Sequence, residues 1–290
     1  MNAPGDEAGS VVVPHTDAFE QTAERIRTDP RRCAFFLDFD GVLAPIQDDP
    51  GLSRPLPELV GQLRRIASTV GRLCIVSGRP VSFLESVLPE LDCDLYGAYG
   101  MQWRVDGVVG SHPSVARHAS TLAAAVAAAR DVFPDLVIED KGVSMTVHYR
   151  TRPTAQEPVE RWASERAVRS GLRLLTGRMV VELAMPVEGD KGDVVRAGIA
   201  EVAAAVYVGD DVGDLPAFRA IHDEVARRPD FDGLAVAVLN DAAVPELVAL
   251  SHVRVDSPHE LTELLTRLVG GHDAQDSRSP HTWERPCNSA

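Results

Sequence analysis

CAFFLDFDG, residues 33–41, decides how the chain folds. Five apolar residues run without interruption and stop at a carboxylate. So short a run, with no polar alternation, reads as a strand buried on both faces, as in a parallel sheet. Asp38-Phe39-Asp40-Gly41 follows at once. In open α/β sheets ligands bind beyond the carboxyl ends of the strands, so both carboxylates fall where a site belongs. Side chains alternate along extended chain, so Asp38 and Asp40 face one way and Phe39 turns to the core. Gly41 suits a turn with positive φ. Two carboxylates this close repel each other unless a cation lies between them or one is protonated. A polar strand end with an Asx turn accounts for the same four residues, and this motif alone does not separate the two readings.

Outward from this stretch, strand-like and helix-like segments alternate. An amphipathic helix is expected over 56–70, a strand over 73–76, a short helix over 81–88 and a third strand at 95–96. The style then changes. An Ala-rich helix (114–132) precedes strands at 136–139 and 144–150, and the second of these alternates as a half-buried antiparallel strand does. A helix over 158–170 and strands at 173–176 and 179–184 complete that segment. Alternation resumes with a helix over 192–204, strands at 206–208 and 235–239, and a helix over 258–268. The pattern predicts an α/β fold: a Rossmann-like parallel-sheet core built from 31–105 and 188–269, interrupted by an α+β domain over 106–187. Residues 1–30 are expected to be a tail and lead-in, and 270–290 a disordered tail.

The 290 residues allow one or two folded units. Hydrophobic residues at 44% and charged residues at 25% describe a soluble globular chain. With only 5% aromatics, Val, Leu and Ala must build the core. The net charge of −14 argues against binding nucleic acid or an anionic membrane, though a local site can still be positive. Cys33, Cys74, Cys93 and Cys287 have neither zinc nor redox spacing, which points to a reducing compartment. With no signal-peptide pattern and no membrane-length apolar run, the expectation is a cytoplasmic protein, monomeric or weakly self-associating.

Three more motifs sit at strand ends or helix starts. Ser77-Gly78-Arg79-Pro80 follows Leu-Cys-Ile-Val, and a hydroxyl with free N–H groups there can hold a phosphate oxygen. It is also ordinary turn chemistry. Asp190-Lys191-Gly192-Asp193 opens a helix, where a Lys opposes the helix dipole, so stability does not explain it; a lone Lys is nevertheless more often solvated than catalytic. GDDVGD (209–214) follows Val-Tyr-Val. Its three carboxylates suit a hard cation such as Mg²⁺, or equally an acidic loop capping the next helix.

Together the four motifs converge on one sheet edge, and the chain resembles the haloacid-dehalogenase superfamily of phosphohydrolases in their kind and order. The insert between the second and third motifs implies a type-two cap. Carried over by that resemblance, Asp38 is the nucleophile that becomes an aspartyl-phosphate. Asp40 is the acid and later the base. Ser77, Gly78 and Arg79 lie at the phosphoryl cradle, and Lys191 holds phosphoryl oxygens and the charge on Asp38. Mg²⁺ falls to Asp38, the Asp40 carbonyl and Asp210, with Asp211 and Asp214 in support. The second Asp, at position 40, separates phosphatases from the dehalogenase, phosphonatase and ATPase branches.

Within the superfamily, LDFDGVLAPI, IVSGRP, YGMQW, IEDKGVSMTVHYR, VVELAMPVEGDKG and GDDVGDLPAF are similar to the trehalose-6-phosphate phosphatase family. This implies a sugar-phosphate substrate met by Gln102, Glu139, Lys141, His148, Arg150 and Glu182. Two positions depart from the family pattern: Gln102 stands for a Glu, and Gly213-Asp214-Leu215-Pro216 for Thr-Asp-Glu-Asp. A phosphatase of another sugar phosphate remains the alternative. A non-catalytic sugar-phosphate sensor would be expected to have lost Asp38, Asp40 or Lys191, and all three are present.

Overall fold

The computed structural model describes residues 17–47, 49–177, 179–186, 189–240 and 244–270. The far ends of both expected tails and the expected boundary at Glu188 lie outside the described residues. The chain begins α1 (Asp17–Thr28), β1 (Cys33–Leu37), α2 (Pro57–Thr69), β2 (Arg72–Val76), α3 (Val81–Val87) and β3 (Asp94–Gly97). Then come β4 (Gln102–Val105), β5 (Val108–Ser111), α4 (Pro113–Val132), β6 (Val137–Asp140), β7 (Ser144–His148), α5 (Gln156–Ser170), β8 (Arg173–Gly177) and β9 (Val180–Ala184). The last third holds α6 (Lys191–Ile199), β10 (Ala204–Gly209), α7 (Leu215–Arg227), β11 (Asp232–Val238), α8 (Pro245–Leu250), β12 (Val253–Val255) and α9 (Pro258–Val269).

The large sheet has the order β12-β11-β10-β1-β2-β3-β4-β5, and β12 through β3 run parallel. β1 lies at its centre and is buried along its whole length, which is why its sequence is apolar throughout. Cys33, Phe35 and Leu37 pack on one face with Ile26, Leu63 and Leu264. Ala34 and Phe36 pack on the other with Val195, Phe218 and Ile221. Helices therefore cover both faces, and the chain order reverses at β1, between β10 and β2. Ligands bind at such a switch point.

Several elements differ from the sequence expectation. The lead-in forms α1, whose Phe19, Ala23 and Ile26 recur at helical spacing and bury against the sheet. The helix expected over 192–204 ends at Ile199, because Ala204 must pair with Cys33 to return the chain to the sheet. α7, α8 and β12 are additional to the expected elements. So is the β4–β5 hairpin, whose turn residues Asp106 and Gly107 both have positive φ, the two-residue turn that Asp-Gly favours. Asp106, expected at the domain boundary, is thus the tip of a hairpin of the large sheet.

The second sheet, β6-β7-β9-β8, is antiparallel. Its own core joins Met145, Val147, Val181 and Leu183 to Leu122, Val126, Val159 and Ala163 of α4 and α5. The helices cover one face and leave the other to the carboxyl edge of the large sheet. Among the described residues no helix is long and apolar enough to cross a membrane.

Candidate active site

The backbone N–H of Asp38 donates to Val208 O at 3.0 Å, extending the β1–β10 ladder by one residue, so its side chain leaves the sheet edge in a fixed direction. Phe39 turns into the core and meets Phe83 edge-on at 5.7 Å. Gly41, at φ +78°, brings the backbone against the Asp210 carboxylate, where any Cβ would collide. Lys191 opens α6, and its side chain forms ion pairs with Asp38 Oδ2 at 2.8 Å and Asp214 Oδ1 at 2.7 Å. Asp190 and Asp193 cap that helix end reciprocally, which offsets the dipole cost of a Lys there.

Asp214 is fully buried and also accepts from Tyr207 Oη at 2.6 Å and the backbone N–H groups of Asp210 and Asp211 at 2.9 and 3.1 Å. Burial raises its pKa, but the Lys191 charge and these hydrogen bonds outweigh that and hold it below the usual range. Asp214 therefore positions Lys191 and the 209–214 loop. Burial lowers the Lys191 pKa, yet Asp214 and Asp38 overcome it and keep the ammonium charged.

Carboxylate oxygens of Asp38, Asp210, Asp211 and Asp214 all lie within 4.8 Å of one another. Burial, and then the neighbouring carboxylates, push Asp38 up and Asp210 to about 10, and Lys191 opposes both shifts. One ammonium does not balance this many acids. The all-oxygen donor set fits a hard divalent cation, which would reverse the sign of those shifts. With Asp214 consumed by its own hydrogen bonds, Asp38, Asp210 and Asp211 are the acidic groups open to such an ion. Asn240, just beyond β11, donates to Asp210 Oδ2 at 2.8 Å and orients it.

Asp40 faces the same opening as Asp38. Arg79 grips it as a fork, Nε to Oδ2 at 2.7 Å and Nη2 to Oδ1 at 2.8 Å. Arg79 Nη1 donates to Glu139 Oε1 at 2.9 Å on β6, so the guanidinium spans the two sheets. Glu139 Oε2 meets His148 Nε2 at 3.0 Å. Burial raises the Glu139 pKa, but His148, Lys141 and Arg79 together hold it below the usual range. Ser77 Oγ accepts from the Arg79 backbone N–H at 3.1 Å, which leaves its hydroxyl proton to donate towards the opening.

On the second sheet, Lys141 Nζ lies 3.3 Å from Glu182 Oε2, and Thr146 lies opposite Glu182 across β7 and β9. Burial lowers the Lys141 pKa and Glu182 more than restores it. Glu182 Oε1 is buried without a partner among the described residues. Between the sheets lies a cavity of about 400 Å³, a volume typical of small-molecule sites. Asp38, Asp40, Ser77, Gly78, Arg79, Glu139, Lys141, His148, Arg150, Lys191, Asp210 and Asp211 line it. Glu182 and Asp214 stand behind Lys141 and Lys191.

Gln102 does not line the cavity. Its Oε1 accepts the Val81 N–H at 3.1 Å, capping the start of α3, and its Nε2 packs on Gly142. The departure from the family pattern thus falls on a helix end. Sequence reasoning missed Tyr99 and Asn240. Asn240 obeys the strand-end rule that found the others. Tyr99 lines the cavity beside Gly78 with φ +58°, directly after Ala98 at φ +54°. Two successive non-glycine residues in the left-handed region signal local strain, which gathers at functional sites.

Asp38, Lys191 and the acidic 209–214 loop meet at the switch point of the parallel sheet, beneath an inserted antiparallel sheet. The fold is shared with a haloacid dehalogenase-like hydrolase from Bacteroides thetaiotaomicron (TM-score 0.55, 15% identity, 81% of this chain and 97% of that one). It is also shared with the C-terminal domain of the C. albicans trehalose-6-phosphate phosphatase (TM-score 0.68, 20% identity, 90% and 99%). The chain belongs to the trehalose-phosphatase family, whose model matches residues 36–242. It is 31% identical over 259 residues to the trehalose-phosphate phosphatase of Mycolicibacterium paratuberculosis, a match covering 82% of this chain. The chain spans 62% of the length of that relative.

Proposed function

We propose that the chain hydrolyses trehalose 6-phosphate to trehalose and phosphate. The observation that carries this reading is the pairing of Asp38 with Lys191 at the floor of a cavity whose roof presents Lys141 and His148. In this reading Asp38 attacks phosphorus and becomes an aspartyl-phosphate, and Asp40 gives its proton to the departing sugar oxygen. Asp40 then takes a proton from the water that cleaves the intermediate. Ser77 donates to a phosphoryl oxygen and Lys191 offsets the charge on the transferring group. Asp38, Asp210 and Asp211, with the Asp40 carbonyl, would hold the cation, for which Mg²⁺ is the best fit. When bound, the ion supplies a Lewis-acidic positive charge at the phosphoryl oxygens.

The inserted segment from α4 to β9 selects the sugar, and the large-sheet core, which includes the β4–β5 hairpin, carries the chemistry. Lys141 and His148 line the cavity and suit sugar hydroxyls, which both donate and accept. The test is phosphate release with Mg²⁺ across a panel of sugar phosphates and one aryl phosphate. Trehalose 6-phosphate is expected to give the highest kcat/KM. Lys141→Ala should lower that value far more than the value for the aryl phosphate, because remote binding energy is lost. A higher value for another sugar phosphate would reassign the substrate.

A further inference from the structure

Arg79 occupies an unusual position between the two sheets. Its guanidinium touches Asp40 with two nitrogens, at 2.7 and 2.8 Å, and Glu139 with the third, at 2.9 Å. Its carbon lies 4.6 Å from the centre of the Phe83 ring, its carbonyl accepts the Ala98 N–H at 2.8 Å, and only 8% of its surface is exposed. A planar fork held by ring, backbone and two carboxylates has little freedom. Asp40, in contrast, is more than a third exposed and is held otherwise by Ser53 Oγ at 3.0 Å. Its orientation therefore depends on Arg79. The far anchor of Arg79 is on β6, a strand of the cap.

We infer that Arg79 is a positioning residue that makes the orientation of Asp40 conditional on Glu139 being docked above it. With the cap seated, Glu139 fixes Nη1 and the fork aims the Asp40 carboxylate. With the cap raised, the guanidinium loses that anchor, and Asp40 is left to Ser53 and a less constrained fork. The carboxylate that takes the proton of the hydrolytic water is then assembled only over an enclosed site, where bulk water is excluded. His148 on Glu139 Oε2 stiffens the same anchor. The inference rests on the phosphatase reading for its meaning, while the link itself is a property of the folded chain.

Two measurements test it. On a small aryl phosphate, which carries no sugar for the cap to read, Glu139→Gln should lower kcat about tenfold, the effect of weakening one hydrogen bond to a charged group. KM should stay near its wild-type value. Arg79→Lys, which keeps the charge and loses the fork, should lower kcat at least as far, and the double variant should be no slower than Arg79→Lys alone. An unchanged kcat in Glu139→Gln, or fully additive losses, overturns the link. Should Arg79→Lys not fold, Glu139→Gln decides alone. The second measurement needs no turnover. The ¹³Cγ resonance of Asp40 should move on Glu139→Gln in the substrate-free protein, and a resonance that stays in place overturns the link. A wild-type chain that releases phosphate from nothing on the panel fails the phosphatase reading, and the resonance still decides the link.

Discussion

Lys191 Nζ lies 2.8 Å from Asp38 and 2.7 Å from Asp214, yet their surroundings shift the two carboxylates in opposite directions. Asp214 is below its ordinary pKa because Tyr207 and two backbone N–H groups share it with the ammonium. Among the described residues Asp38 accepts from the Phe39 N–H and pairs with Lys191, and burial pushes it up. One acid holds the Lys in place, and the other faces the cavity.

Asp38→Asn should therefore abolish phosphate release while the urea midpoint stays near wild type, since the amide oxygen can still accept the Phe39 N–H and Asp214 still pairs Lys191. Asp214→Ala should cost about 3–5 kcal/mol, because it leaves the buried ammonium with one of its two partners and strips the acceptor from Tyr207 and two backbone N–H groups. Equal destabilisation in both variants would contradict this division.

Chelation should abolish turnover and Mg²⁺ should restore it, whereas Ca²⁺ should restore it poorly, its longer bonds and looser geometry misplacing the phosphoryl group. Mg²⁺ should also stabilise the folded chain by offsetting the crowded carboxylates, by about 2.7 kcal/mol at a hundredfold excess over Kd, and so raise its melting temperature. Asp210→Asn should weaken that rise. Full activity in excess chelator would rule the cation out.

Gln102→Glu should leave KM for trehalose 6-phosphate unchanged, because Oε1 faces the Val81 N–H and not the cavity. A carboxylate at the start of α3 should add about 0.3–1 kcal/mol of stability through the helix dipole. A lower KM in the Glu variant would place the side chain at the sugar after all.

His252 sets an acid limit on stability. Burial and the His222 ring 4.6 Å away lower its pKa to about 4. Its Nδ1 accepts the Ala235 N–H at 2.9 Å, which requires the unprotonated ring. The unfolded chain binds this proton near pH 6.5, so the contribution is complete above that pH and is lost as pH falls from about 6.5 to 4. Allowing for partial exposure, the loss is on the order of 1–2 kcal/mol. His252→Asn, which keeps an acceptor that does not titrate, should flatten urea midpoints across that window. An unchanged slope would assign the acid sensitivity elsewhere.

Elements with a strong local pattern are legible in the residues themselves. The apolar strands ending in carboxylates are set by residues adjacent in sequence, and the strand-end rule places Asp38, Asp40, Ser77, Lys191 and Asp210 at one edge. Weakly patterned elements are not legible in this way. α1 carries only two large apolar residues in its buried stripe, Phe19 and Ile26, and the Asp106-Gly107 hairpin joins strands whose residues are half-exposed or exposed.

By itself, then, the sequence determined the α/β alternation, the inserted antiparallel segment and the identity of the acids, because strand period, turn chemistry and side-chain charge are local properties. Only the tertiary structure decided what those side chains touch. It turned Gln102 onto a helix end, closed Asp214 around Lys191 through Tyr207 on β10, and joined Arg79 to Glu139 across 60 residues of chain. Such contacts depend on how two separately cored sheets meet, and no periodicity within either sheet records that meeting.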